Sequence, residues 1–403
     1  MKVLHGPKNF AMQPMLIVEA LRKKGIEANH IQFISGDTHS LGFRLDKVYQ
    51  LDEKWKALKD SLNADYDIYH FWQNSLLYGL GNAWPTGLDL PLIKSRHKKI
   101  IHRFTGFDLR LPTQDLEFNP HSPFRYGAVP PFNEKERQHH IEFLRNYVDQ
   151  FLVQDPELLQ FMPDAKIIPR GLDLNEWSFK GITKTDCPLI VHAPTKNAYK
   201  GTSFVLKAIE ELKDEKGLKF DFKLIQNMTQ NEARKQYEQA DIIIDQLLIG
   251  ATGVLTLEGW ALGKPVAVYL REDLFKPFYG NKNLPIANVN PDNIKDSLRK
   301  LIKDYEWRAE LSAQGRKTVE QYHNIEDVAD QCLKLYKGLL KKKSITPQNT
   351  TDIDLLMAQN NLVSLAKNQI TLALQKTLSE KYKRPLRKLR DWWRGLFFKS
   401  KKS

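Results

Sequence analysis

Short apolar runs alternate with stretches of helical periodicity along almost the whole chain, and this alternation restricts the fold more than any other feature. Continuous apolar runs of this length suit strands buried on both faces, as in parallel sheets whose crossover helices cover both sides. Lys2-Val-Leu opens a first strand, with Gly6 and Pro7 in the turn and a helix across Met15 to Lys24. Ile68-Tyr-His-Phe, Lys99-Ile-Ile-His and Gln150-Phe-Leu-Val read as further strands, and Ile167, Pro169, Gly171 and Asp173 lead out of this half. A polar stretch, Ser178 to Asp186, reads as a linker. The alternation then restarts: Pro188 to His192 is a strand, Thr202 to Leu212 an amphipathic helix, and Phe222-Lys-Leu-Ile, Asp241 to Asp245 and Pro265 to Tyr269 further strands. A helix from about Asn324 to Leu340 closes the second half. The expectation is an α/β protein of two doubly wound, Rossmann-like domains, 1–177 and 186–340, facing each other across a cleft.

Beyond the lysines 341 to 343 comes a polar break, then a helical extension expected over 351–380 and a basic tail over 381–403. The tail holds most of the charge asymmetry: ten basic residues against Asp391 make +9 of the net +13, leaving only +4 for the rest. Two cysteines among 403 residues, Cys187 and Cys332, exclude a disulfide-stapled scaffold and read as thiols of a reducing compartment. The uncharged stretch Ile68 to Leu88 carries His70, Gln73, Asn74, Asn82, Pro85 and three glycines, which no bilayer core accepts. No secretory pattern is expected in Met1-Lys-Val-Leu-His-Gly-Pro.

Two segments of the second half point to phosphate chemistry. Gly250-Ala-Thr-Gly253-Val-Leu-Thr-Leu-Glu258, continuing to Gly263-Lys-Pro265, follows the strand that ends at Asp245. A glycine-bearing turn that opens a helix leaves backbone N–H groups to receive an anion. Glu258 falls about one turn into that helix, where a carboxylate can take both hydroxyls of a ribose. His192-Ala-Pro-Thr-Lys196-Asn-Ala-Tyr-Lys200-Gly201-Thr202 lies between a strand and a helix at the same domain edge, and its lysines are candidate counter-charges for a diphosphate.

With Lys200-Gly201, Ala240-Asp241, Gly253 to Glu258 and Gly263-Lys-Pro265-Val266, the second half resembles the nucleotide-sugar domain of glycosyltransferase family four, whose members have the two-domain GT-B fold. Thr105-Gly106-Phe107-Asp108 and Pro169-Arg-Gly171-Leu-Asp173 are looser matches in the first half; together the likeness spans roughly residues 1 to 340. The resemblance implies that Lys200, with Lys196 nearby, neutralises a donor diphosphate, and that the backbone at Gly253, Val254 and Leu255 cradles it. Glu258 would hold the ribose. It also implies transfer with retention and no required metal or cofactor beyond the nucleotide-sugar itself. The acceptor would enter beside Gly6, Thr105 and Gly106, with His102 and Asp108 as candidate catalytic groups. The chain departs from the family at Gly250, where a glutamate is usual, and at Thr105, where a histidine is usual and His102 is the candidate substitute.

In the tail, Leu386, Leu389, Trp393, Leu396 and Phe397 share one helical face. Arg387, Lys388, Arg390 and Arg394 lie on the other, and Trp392, Trp393 and Phe398 are the interfacial anchors. This pattern fits an anionic membrane surface on the cytoplasmic side, not nucleic acid, for which no reader fold is seen. The functional expectation is a membrane-surface glycosyltransferase moving a UDP- or GDP-linked sugar to a glycan or lipid-linked acceptor in surface polysaccharide synthesis. The competing expectation is a non-catalytic binding protein with the same fold. A nicotinamide dehydrogenase is disfavoured, because no Gly-x-Gly-x-x-Gly follows the first strand.

Overall fold

The computed structural model describes residues 1–34, 44–78, 87, 89–130, 132–280 and 282–343; the expected extension (351–380) and tail (381–403) lie outside the described residues. The first half forms a seven-stranded sheet of β1 (Lys2–Pro7), β2 (Glu27–Ile34), β3 (Lys47–Gln50), β4 (Ile68–Trp72), β5 (Lys99–Phe104), β6 (Gln150–Val153) and β7 (Lys166–Ile167). All its pairings are parallel, in the order β3-β2-β1-β4-β5-β6-β7. The second half forms a five-stranded parallel sheet of β8 (Leu189–His192), β9 (Asp221–Leu224), β10 (Ile242–Ile244), β11 (Val266–Val268) and β12 (Ala287–Asn288), in the order β12-β11-β10-β8-β9.

Successive residues of each strand point to opposite faces, so an unbroken apolar run feeds two cores at once. Val3 joins one core of the first domain and Leu4 the other. Ile243 goes one way in the second domain, Ile242 and Ile244 the other. The strand β2, which the sequence pattern did not reveal, alternates buried and partly exposed positions and includes His30 and Gln32.

The helix Ile325–Leu340 is placed differently from the expectation. Instead of closing the second half it crosses back, burying Val328, Ala329, Cys332, Tyr336 and Leu339 against Val3, Ile17 and Leu21 of the first domain. Its apolar stripe is legible in the sequence, but a stripe does not say which sheet will receive it. The two crossovers are tied together: Leu172 N–H donates to the His323 carbonyl (2.7 Å) and Ile325 N–H to the Leu172 carbonyl (3.1 Å). Gly171 is required there, since a Cβ would stand 2.5 Å from Ile325 Cδ1. The 178–186 linker runs along the second domain, where Lys180 and Gly181 N–H both reach the Leu262 carbonyl (2.9 Å each).

Candidate functional site

Both sheets turn the carboxyl ends of their strands toward one interdomain cleft of about 790 Å³, where doubly wound folds bind ligands. Its first-domain wall carries non-glycine residues at positive φ, Ala11 (+47°) after β1 and Gln73 (+64°) after β4. Such backbone costs on the order of 1–3 kcal/mol and gathers at functional sites.

The second-domain wall is built on Asp245, the residue that follows β10. Its Oδ2 accepts from Gly253 N–H (2.9 Å), Thr256 N–H (3.2 Å) and the Thr256 hydroxyl (2.7 Å) at the start of helix Val254–Leu262. Lys200 Nζ donates to Asp245 Oδ1 (2.6 Å) and to Gln246 Oε1 (3.0 Å). Burial pushes the Asp245 carboxyl up, but the Lys200 ammonium and the Thr256 hydrogen bond outweigh it and hold the group below its ordinary range. Gly253 follows from the same contact, because a Cβ there would lie 2.2 Å from Asp245 Oδ2. The helix start is therefore partly occupied from within. Among the described residues, the N–H groups of Val254 and Leu255 keep no acceptor, and both residues line the cleft.

Glu258 lies one turn further on, lining the same cleft, with Gln230 Nε2 at 3.4 Å from its Oε1. Burial raises its pKa to about 8, so near neutral pH it is largely protonated and can donate as well as accept a hydrogen bond. Lys200, Gly253, Val254, Leu255 and Glu258 thus line one cleft. Lys196 is not among the residues lining the cleft; it is exposed, just before the short helix Asn197–Lys200. At Gly250 (φ +75°) a Cβ would meet Arg271 Cγ at 2.9 Å, so no side chain fits where the resembled family places its glutamate.

On the first-domain wall, Thr105, Gly106 and Asp108 also line the cleft. Asp108 Oδ1 accepts from Thr105 N–H (3.0 Å) and Gly106 N–H (2.7 Å), which makes it the keystone of its own turn; burial raises its pKa. Thr105 is held from two sides, its hydroxyl by Gln73 Nε2 and its carbonyl by Gln154 Nε2 (2.6 Å). Gly106 takes φ +152°, a backbone that side chains disfavour, and a Cβ there would press on Arg110 Nη1 at 2.8 Å.

Two candidates are displaced from the cleft. His102 is buried in the first-domain core, its ring 4.5 Å from that of Phe104 and 6.3 Å from that of Phe151, and does not line the cleft. Burial depresses its pKa to about 3 and neither ring nitrogen has a partner among the described residues, so it is set as a neutral core side chain. It sits on the inward-facing register of β5, which its position in the sequence could not reveal. Gly6 is buried in β1, where a Cβ would lie 2.6 Å from the Ile31 carbonyl oxygen; it shapes the strand end and is not a lining residue. Arg387, Lys388, Arg390, Trp392, Trp393, Arg394, Phe397 and Phe398 lie outside the described residues.

The sequence reading missed Asp245 as the organiser of the helix start, although an acid directly after a buried strand and before a glycine loop was a usable signal. It also missed Asp155 and Arg170, which line the cleft and form a two-pronged pair (2.7 and 2.6 Å). No local signal joins residues that distant in sequence. Among the described residues, no three His, Cys, Asp or Glu side chains gather in a way that could hold a metal, and no helix is long and apolar enough to cross a membrane.

No protein-family model matches the chain, and no curated protein matches it in sequence. Solved structures do. The chain is similar to a sucrose-phosphate synthase from Thermosynechococcus elongatus, with a TM-score of 0.57 and 14% identity over 84% of this chain and 99% of that one. It is likewise similar to a glycosyltransferase from Rickettsia africae (TM-score 0.55, 14% identity, 84% of this chain and 98% of that one). A trehalose-6-phosphate synthase gives 0.54 and 11% identity over 83% and 98%. These likenesses show the GT-B fold, two Rossmann-like domains across a cleft.

Proposed function

We propose that this protein is a glycosyltransferase that takes a sugar from a nucleoside diphosphate. The observation that carries the reading is the convergence, in one cleft, of Lys200, the free N–H groups of Val254 and Leu255, and Glu258. A diphosphate seated on that helix start meets two backbone donors, the positive end of the helix dipole and an ammonium, and its ribose falls beside Glu258. When the bond from the anomeric carbon to the diphosphate oxygen breaks, the charge left on the phosphate develops against these fixed donors. The acceptor hydroxyl attacks the anomeric carbon on the face the diphosphate leaves and passes its proton to the departing diphosphate oxygen. The likeness of fold to sugar-transferring enzymes supports the reading. Retention of configuration, a UDP or GDP donor, and a glycan or lipid-linked acceptor in surface polysaccharide synthesis complete the proposal. The basic, aromatic tail would hold the enzyme on anionic membrane, and its removal should release the protein from anionic vesicles.

A panel of UDP, GDP, ADP and CDP in thermal melts tests the donor site. A ligand at about a hundred times its dissociation constant stabilises the fold by about 2.7 kcal/mol. Stabilisation by one diphosphate that disappears in Glu258→Ala is the expected result; no shift with any of them would sink the reading. Gly250, where the resembled family has a sugar-contacting glutamate, favours a second reading as a non-catalytic nucleotide-sugar binder. Hydrolysis or transfer that is lost in Lys200→Ala would rule that out.

A further inference from the structure

Four aromatic residues beside the cleft stand outside the cores of both domains. Phe107, Phe124, Phe132 and Tyr199 are each half-buried, and none of them joins the buried clusters on either face of either sheet. They pack on one another instead. The ring of Phe132 lies 6.0 Å from that of Phe124, Phe124 lies 6.0 Å from Phe107, and Phe107 lies 5.0 Å from Tyr199. The first two contacts are edge-to-face, an arrangement that aromatic pairs prefer. Two buried guanidinium groups support the row. Arg137 lies 3.6 Å over the Phe132 ring and donates to the carbonyls of Phe107 and Arg110, the latter at 2.9 Å. Arg110 stands 5.2 Å from the Phe107 ring. Phe107 and Tyr199 line the cleft, one on each wall, whereas Phe124 and Phe132 do not line it.

We infer that this row is a binding site for a glycan chain, taking the sugar residues of an extended acceptor that run out of the cleft past Phe107. The face of an aromatic ring is negative, and the C–H face of a sugar ring is apolar and weakly positive, so the two stack. Rings left partly in water outside any core are apolar surface that a ligand can cover, and such patches beside a cleft mark binding sites. Neighbouring rings and guanidinium groups already fix each member, so a ligand that stacks on the row orders little that was loose before. The row also begins where an acceptor has to be. Phe107 follows Thr105 and Gly106 on the first-domain wall, and Tyr199 precedes Lys200 on the donor wall. A chain that leaves the reacting sugar on this side meets these two rings first and Phe124 and Phe132 after them. The exposed residues next to the outer rings, Arg125, Asn133 and Lys135, are polar, which suits the hydroxyls at a sugar's rim better than an acyl chain. The site rests on the transferase reading for its role as an acceptor site, but its affinity for glycan is read without any donor.

Binding of the full chain to an array of linear oligosaccharides of graded length, with no nucleotide present, tests the site. The wild type should hold at least one series, more tightly as the chain lengthens. Phe124→Ala and Phe132→Ala should weaken the longest member of that series by about tenfold and leave the shortest unchanged, since neither ring lines the cleft. Both variants should melt as the wild type does, because the rings belong to no core. Phe124→Tyr, which keeps the ring, should bind as the wild type. Capture of no oligosaccharide, affinity that does not grow with length, or equal loss for short and long members would overturn the site. So would weaker retention of Phe124→Ala on phosphatidylcholine vesicles with glycan binding unchanged, which would assign the row to lipid. Melts with UDP and GDP keep the two readings apart. A diphosphate shift without glycan binding overturns the row alone, and glycan binding without any diphosphate shift overturns the transferase reading alone.

Discussion

The two walls of the cleft are made in opposite ways. On the second-domain wall, one fourteen-residue stretch from Asp245 to Glu258 supplies the organising carboxylate, the glycine that lets it approach, the free N–H groups and the buried glutamate. On the first-domain wall, residues arrive from the ends of β1, β4, β5 and β6, and much of their polarity is directed at one another. Asp108 holds its own turn, and Gln73 and Gln154 hold Thr105. A wall whose organising groups fall largely in one segment, with Lys200 added from another, can be read from sequence, whereas a wall assembled from four strand ends is visible only once the sheet has formed. The contrast also means that the second wall is open to a ligand while the first is largely braced internally.

The largest effect is expected at the carboxylates that organise each wall. Asp245→Ala leaves Lys200 without its ion-pair partner and two helix-start donors without an acceptor, and should cost about 3–5 kcal/mol in urea unfolding and abolish diphosphate binding. Asp108→Ala should cost less, about 1–3 kcal/mol, and leave diphosphate affinity unchanged. Equal losses of affinity in the two variants would erase the distinction between the walls.

The next effect is the pH dependence that Glu258 gives the second wall. Glu258 has a folded-state pKa of about 8 against an ordinary 4.5, so the folded state holds the proton more tightly. Its contribution to stability is fully present below the ordinary value, falls as pH rises through the window between the two, and is gone above about 8. Glu258→Gln removes that slope, and at pH 8 the variant should melt higher than the wild type, by on the order of 1–3 kcal/mol. A variant that tracks the wild type across the window would show that the glutamate is ionised and solvated.

The smallest effect is expected at His102. Its ring nitrogens lack partners among the described residues, and it packs on Phe104 and Phe151. His102→Phe should change stability by about 1 kcal/mol or less and leave transfer activity intact. A large loss of turnover with an unchanged melt would return His102 to the active site.

How much was legible follows the same division. The alternation of apolar runs with helical stripes announced two parallel α/β domains, because a strand buried on both faces is apolar at most positions, with exceptions such as His70 and His102. It did not announce β2, whose alternating His30 and Gln32 resemble a surface pattern. It assigned the helix Ile325–Leu340 to the wrong neighbour, because a stripe specifies burial and not the partner. Gly253, Val254, Leu255 and Glu258 of the motif line the cleft. Yet part of what was read as phosphate-seating geometry serves Asp245: Gly253 is glycine because that carboxylate leaves a Cβ no room.

By itself the sequence determined what is local: strand and helix periods, the turn that opens the helix at Val254, and the spacing that sets Glu258 one turn beyond it. Tertiary structure alone decided what depends on distant segments meeting. It buried His102 rather than turning it to the cleft, set Asp155 and Arg170 against Thr252, and filled the space beside Gly250 with Arg271. Periodicity is a property of neighbours along the chain, whereas a hydrogen bond between Arg170 and Thr252 depends on where two domains come to rest.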